Sequence, residues 1–117
     1  MEIRWFKKVK NTKNCCKDVR VAVVNGGKVV SVTFFHGAYE KINKNDNLQV
    51  GICGNRIYFR GSEPNVGMKV HYGAETAKAC FTIKEFIDFA KKHKAEYDLE
   101  YDVENNLYYI ADEESNV

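Results

Sequence analysis

The sequence predicts an α+β fold, mostly β, in which a ββαββ unit is used twice to make a small pseudo-symmetric barrel or sheet with one longer helix over about 83–93. Three observations carry this expectation. Residues 18–60 and 66–111 each read as strand, turn, strand, helix, strand, turn, strand. The clearest internal match sets residues 48–52, Gly54-Asn55 and 57–59 beside residues 99–103, Asn105-Asn106 and 107–110. Apolar and polar residues alternate over short runs, which is the period of a half-buried strand. Two such units can bury a shared core that neither could bury alone.

The elements follow in order. Ile3 and Trp5 open a basic arm over 1–17. Val19, Val21 and Val23 then alternate as a strand, and Asn25-Gly26, a pair that readily adopts positive φ, closes a hairpin onto a β-branched and aromatic strand over 29–35. One or two helical turns are expected over 36–42. Leu48, Val50 and Ile52 alternate, Gly54-Asn55 turns the chain, and residues 57–60 return it. Residues 61–65 are a joint holding the single proline, Pro64. In the second unit Met68, Val70 and Tyr72 alternate and residues 79–81 return. Thr82 and Glu85 fit a capping box. Ile83, Phe86, Ile87 and Ala90 give the helix one apolar face, and Lys91, Lys92, His93 and Lys94 suit the negative end of its dipole. The last hairpin turns at Asn105-Asn106, and residues 112–117 form an acidic tail expected to fray. All of this makes one domain in a chain of 117 residues.

Composition narrows the function classes. Apolar content of 44% and aromatic content of 13% suit a packed globule rather than a disordered chain. No apolar run is long enough for a spanning helix, and residues 1–8 lack the apolar core of a signal peptide, so a cytoplasmic protein is expected. Four cysteines without a spaced framework are expected to stay reduced: Cys15 and Cys16 are adjacent, while Cys53 and Cys80 read as small core hydrophobes. His36, His71 and His93 form no ligand motif with them, so neither a metal nor a cofactor is expected. No phosphate-binding loop and no nucleophile elbow is present, and the chain reads as a non-enzyme.

A net charge of +2 conceals a strong polarity. Residues 1–60 carry twelve Lys/Arg against four Asp/Glu, and residues 61–117 carry six against twelve. Arg4, Lys7, Lys8, Lys10, Lys13, Lys17, Arg20 and Lys28 cluster beside Trp5 and Phe6. Cations of this kind neutralise phosphates and aromatics stack on bases, so this is the candidate DNA-binding set; the bland alternative is a solubilising tail. Glu96, Asp98, Glu100, Asp102 and Glu104 alternate with Tyr97, Leu99, Tyr101 and Val103. In one strand all five acids would share a face at about 6.8 Å intervals, with the apolar four turned to the core. That is the candidate protein-binding set. It reads as a surface for a basic partner or a nucleic-acid mimic, as a contact for the basic arm, or as a solvated face. The first unit has Asn47, Gln49, Gly51 and Cys53 at the matching places, so the fold does not require the acids.

Residues 30–60 carry a family likeness. Val30-Ser31-Val32-Thr33, then Tyr39-Glu40-Lys41-Ile42, Lys44-Asn45-Asp46, Leu48-Gln49-Val50-Gly51-Ile52, Gly54-Asn55 and Ile57-Tyr58-Phe59-Arg60 resemble the AbrB/MazE/SpoVT-like swapped-hairpin family. The resemblance implies two interlocked units, a homodimer and DNA binding, with Lys17, Arg20 and Lys28 as the phosphate-contacting surface. Tandem members of MraZ type offer the precedent for two units in one chain. The chain departs from the family at Phe34-Phe35-His36-Gly37, where a proline is common, and in its longer second helix.

Two functions are therefore expected in competition. One is a small DNA-binding transcription regulator. The other is a protein-binding module, an antitoxin or a mobile-element-encoded inhibitor, that shows its acidic strand to a basic surface.

Overall fold

The computed structural model describes residues 17–42, 45–73 and 75–112. The elements are β1 (Val19–Val24), β2 (Val29–Phe34), α1 (Ala38–Ile42), β3 (Asn47–Cys53), β4 (Arg56–Gly61), β5 (Met68–Lys69), β6 (His71–Tyr72), β7 (Ala77–Phe81), α2 (Lys84–Lys92), β8 (Glu96–Tyr97), β9 (Glu100–Asp102) and β10 (Leu107–Ala111). They build two five-stranded antiparallel sheets, β6-β7-β2-β1-β8 and β5-β3-β4-β10-β9. Among the described residues neither sheet closes into a barrel.

The turns follow from local chemistry. Asn25, Gly26 and Gly27 all take positive φ in a four-residue turn, and the chain returns as Val24 faces Val29. Gly54 alone is left-handed in the tighter β3–β4 turn, where Cys53 faces Arg56.

Two bent strands join the sheets. Met68 and Lys69 pair with β3 in the second sheet, whereas His71 and Tyr72 pair with β7 in the first. Glu96 and Tyr97 pair with β1 in the first sheet, and residues Glu100–Asp102 pair with β10 in the second. The two crossings have the same register. Val19 facing Tyr97 and Arg20 facing Glu96 recur as Met68 facing Leu48 and Lys69 facing Asn47. The hydrogen bond from Val21 N–H to the Ala95 carbonyl recurs from Val70 to Asp46. Val32 facing Ala79 and Tyr58 facing Tyr109 sit at the centres of this exchange. The aromatic packing repeats too: Phe34 meets Tyr39 with centroids 5.5 Å apart, and Phe81 meets Phe86 at 5.7 Å.

The core lies between the sheets. Val19, Val21, Val30, Val32, Phe34, Ala79 and Phe81 face it from the first sheet, and Leu48, Ile57, Phe59 and Ile110 from the second. Phe34 meets Phe59 edge-on across the gap at 5.2 Å. Each such side chain contributes about 1.5–3 kcal/mol on leaving water. The helix α2 adds Phe86, Ile87 and Phe89. No described helix is long and apolar enough to cross a membrane.

Several expectations are corrected here. The helix starts at Lys84 with Ile83 in the N-cap position and no side-chain cap bond, so Thr82 stands one residue too early and the capping box does not form. Ile83 is 43% exposed, and Phe89 takes its expected place in the apolar face. Cys53 is exposed because it ends β3 beyond the core. Asp112 does not fray: it is buried, accepts from the Lys94 N–H, meets His93 Nδ1 at 2.8 Å and exchanges backbone and side-chain hydrogen bonds with Asn55. Cys15 and Cys16 lie outside the described residues.

Candidate binding surfaces

The charged sets meet each other at one sheet edge. Lys17 Nζ lies 3.2 Å from Asp98 Oδ2, and Arg20 Nη2 lies 2.9 Å from Glu96 Oε2. The crossing of β8 over β1 forces this, since Arg20 and Glu96 face each other in the ladder. Arg20 also lies over the Phe35 ring at 5.6 Å. Asp18 fixes the bend by accepting from the Leu99 N–H. Pairs this exposed contribute about 0.2–1 kcal/mol each, but they place a carboxylate beside each cation. Lys28 stands apart on the β1–β2 turn. Arg4, Lys7, Lys8, Lys10 and Lys13 lie outside the described residues.

The acid ladder does not share one face. Its strand changes sheets between Tyr97 and Glu100, so Glu96 lies on the outer face of the first sheet and Glu100 and Asp102 on that of the second. Tyr97 is buried, yet Tyr101 is 44% and Val103 80% exposed, against the expectation that both face the core. Asp102, on the outer face of the second sheet, is a loop-holding residue with its side chain 10% exposed. It accepts from the Asn105 side chain at 2.8 Å and from the Asn105 N–H at 3.2 Å. These bonds, with one from Tyr58, hold its carboxyl below the usual carboxylate range. Glu100 and Glu104 remain exposed.

The outer face of the second sheet carries a network that the sequence did not announce. Arg56 donates to the Tyr58 hydroxyl at 3.1 Å, and Tyr58 donates to Asp102 Oδ2 at 3.0 Å. The Arg56 guanidinium covers the Tyr109 ring at 4.3 Å. The bond to Tyr58 and the nearby Asp102 charge raise the Arg56 pKa. Strand period alone would have put Tyr58 and Tyr109 on this face, but only the β4–β10 ladder makes them neighbours.

At the opposite edge of the first sheet lies an open cavity of about 360 Å3, between the β2–α1 joint and the β6–β7 hairpin. His36 and Gly37 take positive φ on its rim. Tyr39 and Tyr72 wall it, with rings 6.1 Å apart and at 70°. Glu40 and Glu75 line it as well. The Tyr39 hydroxyl is engaged with the Asn45 carbonyl and the Tyr72 hydroxyl with Asp46 Oδ1 at 3.1 Å. Partial burial of its hydroxyl, that bond and the charges of Asp46 and Glu40 raise the Tyr72 pKa above that of a free tyrosine. A Cβ at Gly73 in the hairpin would stand 2.6 Å from Thr76 Oγ1, so the Thr76 side chain would have to turn aside.

Compared with protein-family models, curated proteins and solved structures, the chain matches none.

A third surface is apolar. Ile52, Val66, Met68 and Ile83 are each 43–55% exposed over two shallow cavities that share Val50 and Ile83. Among the described residues no group of His, Cys, Asp and Glu converges as a metal site.

Proposed function

We propose that this protein is a non-enzymatic cytoplasmic binding module that takes hold of a basic protein partner, as an antitoxin or a mobile-element-encoded inhibitor would. One observation carries the reading: the two edges of the first sheet differ in charge. At the β8 edge Lys17 and Arg20 are met by Asp98 and Glu96. At the β6 edge carboxylates and tyrosines line open space, and among the described residues no lysine or arginine lines it. A cationic partner gains Coulomb energy and ring contact at the second edge and finds neutralised charge at the first. The exposed apolar side chains of Ile52, Val66, Met68 and Ile83 add the kind of surface that protein partners cover.

A second reading, the DNA-binding regulator of swapped-hairpin type, is favoured by where the excess positive charge lies. Lysines and arginines nearly balance aspartates and glutamates in the described body, and Arg4, Lys7, Lys8, Lys10 and Lys13 precede it. That regulator would be a homodimer contacting phosphates through the arm.

Fluorescence anisotropy separates the two. The chain is titrated against a labelled Lys/Arg-rich peptide and against labelled mixed-sequence duplex DNA, from about 50 to 200 mM salt. Saturable peptide binding that outlasts DNA binding as salt rises supports the module. Micromolar DNA binding with a steep salt slope and no peptide binding gives the function to the arm.

A further inference from the structure

We propose that the cavity between α1 and the β6–β7 hairpin is a cation pocket that receives one lysine or arginine side chain of the partner. This rests on the reading of a basic protein partner and assigns the residues that would grip it.

The chemistry of the walls makes the case. The exposed Tyr72 ring packs at 70° against the buried Tyr39 ring, so a cation entering the cavity meets ring surface chiefly on Tyr72. Such contacts strengthen as the cation leaves water. Glu40 and Glu75 stand on the rim, and Asp46 is one hydrogen bond away through the Tyr72 hydroxyl. Two carboxylates thus line the space and a third stands behind Tyr72, and among the described residues no lysine or arginine lines it. This differs from the β8 edge, where each cation has its acid. The volume of about 360 Å3 lies at the small end of ligand pockets, which suits one extended side chain rather than a cofactor.

The pocket is also held in shape before anything enters. Tyr39 is buried, and its hydroxyl is bonded to the Asn45 carbonyl at 2.6 Å. Tyr72 is 57% exposed, yet its hydroxyl is fixed by Asp46. A ring that is placed in advance loses little freedom on binding. His36, at positive φ, lines the cavity as well.

The test uses the full chain labelled with 15N, titrated with Nα-acetyl-lysine methylamide and with Nα-acetyl-arginine methylamide. Nα-acetyl-norleucine methylamide is the neutral control. The expected result is saturable movement of the Gly37, Thr76 and Ala77 amide signals with one or both cations and none with norleucine. The double variant Glu40→Gln, Glu75→Gln weakens this binding at least tenfold. Tyr72→Phe keeps most of it, because the ring remains, and Tyr72→Ala removes it. Equal movement with norleucine, or unchanged cation binding by the double variant, overturns the proposal. Spectra of the variants without ligand report whether each is folded. If the amino acid derivatives fail while the Lys/Arg-rich peptide still binds, the pocket is wrong and the module stands. If both fail, the module falls with it.

Discussion

At the β8 edge of the first sheet Lys17 and Arg20 are met by Asp98 and Glu96, whereas at the β6 edge Glu40 and Glu75 stand beside two tyrosine rings, with no lysine or arginine among the described residues lining the space. The fold does not impose the difference. The two strand crossings share one register, and where the β1–β8 crossing sets Arg20 against Glu96, the β5–β3 crossing sets Lys69 against the neutral Asn47. Backbone pairing and the apolar core hold both crossings, so charge is free to vary between them. The comparison teaches that charge at a sheet edge is set residue by residue, and that the acids lining the β6 edge sit where the strand pattern gave least warning of them.

The comparison can be broken or sharpened by substitution. The largest effect belongs to Phe34, which lies beneath the cavity wall and bridges to Phe59. Phe34→Ala is expected to cost about 3–5 kcal/mol in urea unfolding, and Phe81→Ala a similar amount. A small cost at either would mean that the two halves do not share one core. Gly73→Ala comes next, because the new Cβ would press on Thr76 Oγ1 at 2.6 Å. The expected cost is about 1–3 kcal/mol, with amide shifts confined to the β6 edge. Shifts that reach Arg20 would show the two edges to be coupled.

Asp102 supplies a third kind of carboxylate, held chiefly by amide donors rather than by a cation. Its folded pKa is lowered, so the stability it adds is present above the unfolded value of about 3.9 and is lost as pH falls through the folded value. Asp102→Asn should therefore lower the urea midpoint by a constant amount above about pH 5, with the gap closing below about pH 4. A gap that stays constant down to low pH would remove the carboxylate charge from the account. The smallest effects are at the crossings. Glu96→Gln is expected to cost about 0.2–1 kcal/mol, less at high salt, and Asn47→Glu to add a few tenths opposite Lys69. A larger cost at Glu96 would make the β8 edge structural rather than a neutralised surface.

Much of the fold was legible because its signals are local. Val19, Val21 and Val30, Val32 alternate, and Asn25-Gly26 and Gly54-Asn55 carry the turn chemistry. What was missed is non-local or conditional. Alternation over 96–104 promised one flat face, but the strand leaves one sheet for the other at the bend, so its outward acids divide between two sheet faces and Tyr101, opposite Tyr108 at the sheet edge, stays exposed. Asp102 also reads as the start of a turn, since a short acidic side chain can accept from the N–H groups that follow it. Nothing in the spacing of Tyr39 and Tyr72 places them together; that requires β6 to pair with β7 and β7 with β2. The pairing of Lys17 and Arg20 with Asp98 and Glu96 was among the alternatives, and only the register selects it.

The most direct test is an amide-shift map of the 15N-labelled chain with the Lys/Arg-rich peptide at about 150 mM salt, where exposed charge is screened beyond about 8 Å. The account predicts movement concentrated at Gly37, Glu40, Thr76 and Ala77, with Arg20 and Glu96 quiet. Movement concentrated at the β1–β8 edge, or none anywhere in the described body, would contradict it.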